Sequence, residues 1–119
     1  MLVVEDDPGT GALLTDVLGD EGYAVRVVDT VLGVLGEIER RRPQAIVLDL
    51  GLPYRSGAAL LADLKADPAT AGIPVVVVSA LLEAFPPEHA ALAEAALAKP
   101  FEVQDLLAAL ERANGHTPP

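Results

Sequence analysis

The sequence predicts an α/β domain that is built around a parallel β-sheet. Short runs rich in β-branched residues alternate with segments whose apolar residues recur at helical spacing, and this β-α alternation occurs five times. Most of the short runs are apolar without alternation, as expected for parallel strands that are covered on both faces. A chain of 119 residues is long enough for one such domain and too short for two.

The predicted strands are short, and turn residues lie close to them. Arg26 interrupts the second run, which suits an edge strand with one face toward water. The fifth run is weak and is predicted because a Lys-Pro dipeptide and a strong helical pattern follow it. The five runs are Leu2–Val4, Val25–Val28, Ala45–Leu48, Ile73–Val78 and Ala95–Ala98.

Helical spacing fills the segments between the runs. Pro8 suits a first helical turn, Asp29 and Thr30 offer capping oxygens, and Gly22 marks a helix end. Between the fourth and fifth runs a short helix is predicted at Glu88–Glu94, after a pair of prolines. The other apolar stripes, which carry the i, i+3, i+4 pattern of a helix that packs one face on a sheet, lie in 13–18, 31–38, 60–64 and 103–110.

The charge and the composition argue against several kinds of partner. Acidic residues outnumber basic ones 18 to 8, which gives a net charge of −10, and such a surface repels nucleic-acid phosphates and anionic lipids. Aromatic residues make up 3% and cysteine is absent, so stacking on bases and zinc-thiolate sites are disfavoured. No signal peptide or long apolar span is visible. We therefore expect a cytoplasmic domain without direct contact to nucleic acid or membrane.

Polar residues follow four of the predicted strands. An acidic run at 5–7 follows the first strand, Asp49 the third, Ser79 the fourth and Lys99 the fifth. The carboxyl ends of parallel strands meet at one edge of the sheet, where ligands bind in open α/β folds. Carboxylates gathered there repel one another, and oxygen ligands without His or Cys favour Mg²⁺ or a similar ion. The sequence therefore predicts a cation site at this edge.

Asp49 has the predicted surroundings of a phosphoryl acceptor. Mg²⁺ and Lys99 would neutralise the phosphoryl oxygens, so that an anionic carboxylate could approach an anionic donor, and Ser79 could donate to a further oxygen. Taken alone, Asp6 or Asp7 could simply cap the next helix. Ser79 could equally belong to a turn, and Lys99 could be a surface charge. The combination of fitting residues at successive strand ends favours a site.

Four motifs in the chain resemble the receiver domain of two-component response regulators, and the resemblance covers nearly the whole chain. It implies a flavodoxin-like, doubly wound sheet of five parallel strands in the order 2-1-3-4-5, with helices on both faces. It further implies a receiver domain over 1–114, followed by a C-terminal tail or linker remnant at 115–119. The motifs are VVEDDP at 3–8, VLDLGLPYRSG at 47–57, VVVVSA at 75–80 and AKPF at 98–101.

The resemblance also implies a phosphoryl donor and a cofactor. A sensor histidine kinase or a histidine phosphotransfer protein would phosphorylate Asp49, and the domain would catalyse only its own phosphorylation and dephosphorylation rather than act as an enzyme on other substrates. Asp6, Asp49 and the backbone carbonyl of Gly51 match the family's Mg²⁺ ligands. Glu5 matches the acid that acts on the ion through water.

The remaining family positions concern the switch. Ser79 matches the switch hydroxyl, Lys99 matches the phosphoryl-pairing lysine, and the bond before Pro100 is implied to be cis. The family usually has Tyr or Phe three residues before this lysine, where this chain has Ala96. The interval between Ser79 and Lys99 is also shorter than usual. It holds the helix and strand through which receivers contact a downstream protein or a second copy, so the output surface departs most from the family.

Other interpretations stay open at the level of the sequence. A receiver fold could serve as a docking module without phosphorylation, and the absence of an aromatic residue at Ala96 argues for this. The run at 9–11, together with Asp29, resembles a dinucleotide-binding fingerprint, but Leu14 stands at the third glycine position. A haloacid-dehalogenase-like phosphatase would need a second acid where the chain has Gly51.

Overall fold

The computed structural model describes residues 1–49, 57–79 and 92–113. The strands in this part of the chain are β1 (Leu2–Val4), β2 (Arg26–Val28), β3 (Ile46–Asp49), β4 (Val75–Ser79) and β5 (Ala95–Ala98). The helices are α1 (Pro8–Asp20), α2 (Val31–Arg40), α3 (Gly57–Ala66) and α4 (Val103–Ala113). None of these four helices is long and apolar enough to cross a membrane. The five strands form one parallel sheet in the order β2-β1-β3-β4-β5, which confirms the predicted fold and strand order.

Helices cover both faces of the sheet because successive strand residues point to opposite sides. On one face, Leu2 and Val4 of β1 pack in a cluster with Val34 of α2 and the leucines of α3. On the other face, Val3 packs in a cluster with Leu14 of α1 and with apolar residues of α4. The residues of β3 and β4 divide between the same two clusters, so the central strands β1, β3 and β4 are buried on both faces as the apolar runs predict, whereas the edge strands β2 and β5 are more exposed.

The observed bounds of β1 and β5 match the predicted ones, whereas those of β2, β3 and β4 differ by one or two residues. β3 and β4 each extend one residue further than predicted and end on Asp49 and Ser79. β4 begins at Val75 rather than Ile73, because Pro74 has no N–H to donate to a ladder and the N–H of Ile73 donates to the Thr70 carbonyl oxygen (3.0 Å). Since β3 and β4 end on them, Asp49 and Ser79 are held by the sheet rather than by a loop.

Helix α1 begins and ends at residues that the sequence marks. Asp7 is its N-cap, and the carboxylate accepts the backbone N–H of Thr10 (3.1 Å). Gly22 beyond its C-terminus has φ +92°, a conformation that favours a residue without Cβ. The N–H of Tyr23 donates to the Leu18 carbonyl oxygen (3.1 Å), which closes the helix in a Schellman turn. The N-cap thus ties the last residue of the acidic run to the start of α1.

Several sequence predictions fall outside the described residues. They concern Gly51, most of the predicted helix Glu88–Glu94 and the domain boundary between 114 and 115. Within the described part, residues 92–94 form a turn ahead of β5.

Candidate functional site

Adjacent strands end in polar residues at one edge of the sheet. Glu5 follows β1 directly, and its backbone N–H donates to the Val28 carbonyl oxygen of β2 (3.0 Å). Asp49 and Ser79 are the last residues of β3 and β4. All three polar side chains are buried. Since β1, β3 and β4 are neighbours in the sheet, the sheet itself brings the two carboxylates and the hydroxyl to the same edge.

Lys99 reaches this edge from the end of β5. Its backbone N–H donates to the Ser79 carbonyl oxygen (2.9 Å), and the bond between Lys99 and Pro100 is cis. The ammonium Nζ lies 2.7 Å from Oε1 of Glu5 and 3.3 Å from Oδ2 of Asp49. The sequence predicts pairing with Asp49 or a bound anion, and the structure adds Glu5 as the nearer partner.

Three acidic side chains form a cluster beside the ammonium group. Glu5, Asp6 and Asp49 each offer a carboxylate oxygen, and these oxygens lie within 4.8 Å of one another. Asp6 is exposed, whereas the other two are buried. Oε2 of Glu5 is buried and has no hydrogen-bond partner among the described residues. Such an oxygen is costly unless a proton or a cation compensates it.

The electrostatics of the cluster favour a proton on Glu5 when no cation is present. Burial and a hydrogen bond with Asp49 raise the pKa of Glu5 to about 7, against the opposing effect of Lys99. Burial works against the charge of Lys99, but its contacts with Glu5 and Asp49 prevail and raise the pKa of the ammonium group above its usual value. The lysine therefore stays charged, while the neighbouring glutamic acid titrates near neutrality.

The donor set fits the Mg²⁺ ion that the sequence predicts. Every member of the cluster offers hard carboxylate oxygen, which Mg²⁺ prefers to nitrogen or sulfur. The unpartnered oxygen of Glu5 supplies an acceptor without a donor, and exposed Asp6 gives the cluster an open side. The carbonyl of Gly51, the further ligand that the resemblance implies, lies outside the described residues.

Asp7 caps helix α1. This is the structural role that the sequence leaves open for Asp6 or Asp7. The Asp7 carboxylate accepts hydrogen bonds from the Thr10 hydroxyl (2.6 Å) and the Thr10 backbone N–H (3.1 Å). These bonds lower the pKa of Asp7. A dinucleotide site would place a pyrophosphate at this same helix N-terminus. The carboxylate of Asp7 already satisfies the helix end there, which argues against that alternative.

The pair formed by Glu5 and Lys99 is the feature of the site that sequence reasoning missed. The two residues are 94 positions apart, and no local pattern connects them. The strand order places β1 and β5 on opposite sides of β3 and β4. The lysine side chain must therefore reach across two strands to meet Glu5, and only its length, combined with the strand order, could have indicated this contact.

The fold and the edge cluster together define a receiver domain. The family model of the response regulator receiver domain matches residues 1–111, and the chain belongs to this family. Membership confirms the resemblance that the four motifs carry, and it argues against the dinucleotide-binding and phosphatase alternatives.

Named relatives of the chain are regulators and sensor proteins. KdpE of Escherichia coli, a KDP operon transcriptional regulatory protein, is 36% identical over 113 residues, covering 92% of this chain and 48% of KdpE. The chain thus spans about half the length of this relative. A sensor protein from Polaromonas sp. JS666 has 31% identity and a TM-score of 0.88, with 96% of this chain and 94% of that chain covered.

A further solved relative contains a metal ion. The receiver domain of the sensor histidine kinase PA1611 from Pseudomonas aeruginosa PAO1 has 28% identity and a TM-score of 0.84, with 96% of this chain and 95% of that chain covered. It was solved with a magnesium ion coordinated in the active site cleft.

Proposed function

We propose that this receiver domain accepts a phosphoryl group on Asp49 from the phosphohistidine of a sensor histidine kinase or histidine phosphotransfer protein. The observation that carries the proposal is the surroundings of one carboxylate. Oδ2 of Asp49 lies 3.3 Å from Nζ of Lys99, within a cluster of acids that contains an unpartnered buried oxygen. A carboxylate between a cation site and an ammonium group is suited to nucleophilic attack on phosphorus.

The metal ligands of the proposal are Asp6, Asp49 and the carbonyl of Gly51, with Glu5 acting through water. When bound, Mg²⁺ would neutralise negative charge on the acids and on the phosphoryl oxygens. We assign the cation to Mg²⁺ because Glu5, Asp6 and Asp49 offer carboxylate oxygens.

The side chains perform the transfer by positioning and charge. An oxygen of Asp49 forms the new O–P bond while the P–N bond to the donor imidazole breaks, and the imidazole leaves with the electron pair. Lys99 stabilises the negative charge on the phosphoryl oxygens, and the hydroxyl of Ser79 donates a hydrogen bond to one of them. Hydrolysis of the acyl phosphate then restores Asp49, so the domain acts on itself and is not an enzyme toward other substrates.

The proposed outcome is a change in a protein-interaction surface. The phosphorylated domain would bind a downstream protein or a second copy through the region that includes β5. We place this signalling in the cytoplasm. KdpE is a transcriptional regulatory protein. For these 119 residues we propose no direct contact with nucleic acid, because their net charge of −10 repels phosphate groups.

Incubation with Mg²⁺ and acetyl phosphate, followed by intact-mass spectrometry, tests the proposal. We expect wild type to gain the mass of one phosphoryl group, and Asp49→Asn to gain none. Asp16→Asn changes an exposed aspartate of α1 and should react like wild type. Absence of the adduct in wild type, or its persistence in Asp49→Asn, would refute the assignment of Asp49.

A docking module without phosphorylation is the second candidate. The observation that favours it is the half-buried Ala96 of β5, which packs against the core where the family usually has an aromatic residue. Beryllofluoride with Mg²⁺ separates the two functions because it mimics a phosphoryl group without a donor. Changed amide resonances around Ser79 and Lys99 would support the phosphoacceptor. A spectrum unchanged by both additions would support the docking module.

A further inference from the structure

A cavity lined by arginines lies at the opposite edge of the sheet from the acid cluster. Its volume is about 450 Å³, and its wall includes Leu2 at the start of β1 and Arg26 at the start of β2. Arg41, Arg42 and Pro43, from the segment that leads into β3, also belong to this wall. The chain has eight Lys and Arg residues in total. Three of them therefore face one cavity in a strongly acidic protein.

The guanidinium groups of this cavity are only partly neutralised. Arg26 donates to Oε2 of Glu37 (3.0 Å), and Glu37 supplies the one carboxylate of the lining. Arg42 donates one hydrogen bond to the Ala69 carbonyl oxygen (2.5 Å). The guanidinium of Arg41 has no hydrogen bond or ion pair with the described residues. Several donors in a fixed planar arrangement thus remain available at the cavity.

Positively charged groups gather at this edge despite the negative charge of the whole chain. Burial and the neighbouring guanidinium groups of Arg26 and Arg41 lower the pKa of the α-amino group of Met1. Part of the wall is apolar, with Leu2 and Val25 among its residues. Water is less able to screen charges against such a wall, so an anion placed there would interact more strongly than on an open surface.

We propose that this cavity binds a small phosphate-bearing ligand. The guanidinium fork of arginine matches two oxygens of a phosphate group, and the donors of Arg41 are not engaged by any described residue. The volume falls in the range of small-molecule sites, and its concave shape suits a small ligand rather than a protein surface. Because the cavity lies at the other edge of the sheet from Asp49, this inference does not depend on the proposed function.

Titration of the 119-residue chain with pyrophosphate, followed by amide NMR without divalent cations and in about 0.15 M salt, tests the inference. We expect saturable shifts at Gly22, Ala24 and Gln44, which line the cavity. Replacing Arg41 and Arg42 together with alanine should weaken binding about tenfold or more, as expected for the loss of charge-assisted hydrogen bonds. Arg112→Ala removes an exposed guanidinium of α4 that does not line the cavity, and it should leave the affinity within about twofold.

Two results would overturn the inference. One is a set of shifts confined to the residues around Lys99, which would place the anion at the site already described. The other is an affinity that stays the same in the double variant. If the double variant fails to fold, the single substitution Arg41→Gln provides the same comparison, because Arg41 is exposed and its guanidinium makes no hydrogen bond or ion pair with the described residues.

Discussion

At the scale of single residues, Glu5 combines burial, an ion pair and an unpartnered oxygen. Its pKa is raised to about 7 from an ordinary value of 4.5, so between these values the folded protein holds a proton that the unfolded chain has released. The free energy of unfolding must then fall as the pH rises through this window, because the unfolded state binds fewer protons. Without a bound cation, Glu5 therefore lowers the free energy of unfolding at neutral pH relative to acidic pH.

We predict that Glu5→Gln removes this pH dependence in the metal-free protein. Glutamine resembles the protonated acid, so the variant and wild type should be similarly stable near about pH 4.5 and should diverge in favour of the variant toward about pH 8. Thermal melts in a chelating buffer across that range measure the difference. A difference that stays constant with pH would show that Glu5 does not titrate in this window.

The sequence predicted which residues form the site, but it did not predict all the contacts between them. Asp49, Ser79 and Lys99 stand at strand ends, and the strand end is a signal that the apolar runs reveal. The burial of Glu5 and its pairing with Lys99 depend on distances between strands that are remote in sequence, so the pattern alone could not supply them.

At the scale of elements, the helix ends were readable because they depend on local chemistry. Thr30 is the N-cap of α2, and Oγ1 of its side chain accepts the backbone N–H of Gly33 (3.1 Å). Asp7 and Gly22 bound α1 in the same local way. The bounds of β1 and β5 were predicted correctly, but those of β2, β3 and β4 were less readable, because the extent of a strand is set by hydrogen bonds to its neighbours. Pro74 illustrates this, since it excludes Ile73 from β4.

The cap of α2 provides a prediction with an internal control. We expect Thr30→Ala to lower the free energy of unfolding by about 1 kcal/mol, because the N–H of Gly33 loses its acceptor. Thr15→Ala should change it by less than about 0.5 kcal/mol. Thr15 is an exposed threonine within α1 that donates to the carbonyl oxygen of Gly11, whose helical bond exists without it. Urea denaturation measures both values, and equal effects would refute the capping role.

At the scale of the whole molecule, the fold separates charge along the strand direction. The acids Glu5, Asp6 and Asp49 gather at the carboxyl edge of the sheet, and Arg26 and Arg41 lie at the amino edge. The net charge of −10 is a total over the chain and does not show that acids gather at one edge and arginines at the other. Composition predicted repulsion of anions by the molecule as a whole, whereas strand topology determines where cations and anions are favoured locally.

Mg²⁺ should stabilise the whole molecule because the acid cluster proposed to bind it forms only in the folded state. Saturation to about 100 times the dissociation constant would add roughly 2.7 kcal/mol to the free energy of unfolding. We predict a rise of the melting temperature with Mg²⁺ in wild type and in Asp16→Asn, and a much smaller rise in Asp6→Asn. A rise of equal size in Asp6→Asn would place the cation elsewhere.

The most direct measurement of the proposed chemistry is the identification of the phosphorylated residue. After reaction with acetyl phosphate and Mg²⁺, borohydride reduces an aspartyl phosphate to homoserine, and peptide mass spectrometry locates the converted residue. We expect conversion at Asp49 and at no other acid of the chain. Conversion at Glu5, Asp6 or any other carboxylate, or no conversion under conditions that phosphorylate a known receiver domain, would contradict the assignment of Asp49 as phosphoryl acceptor.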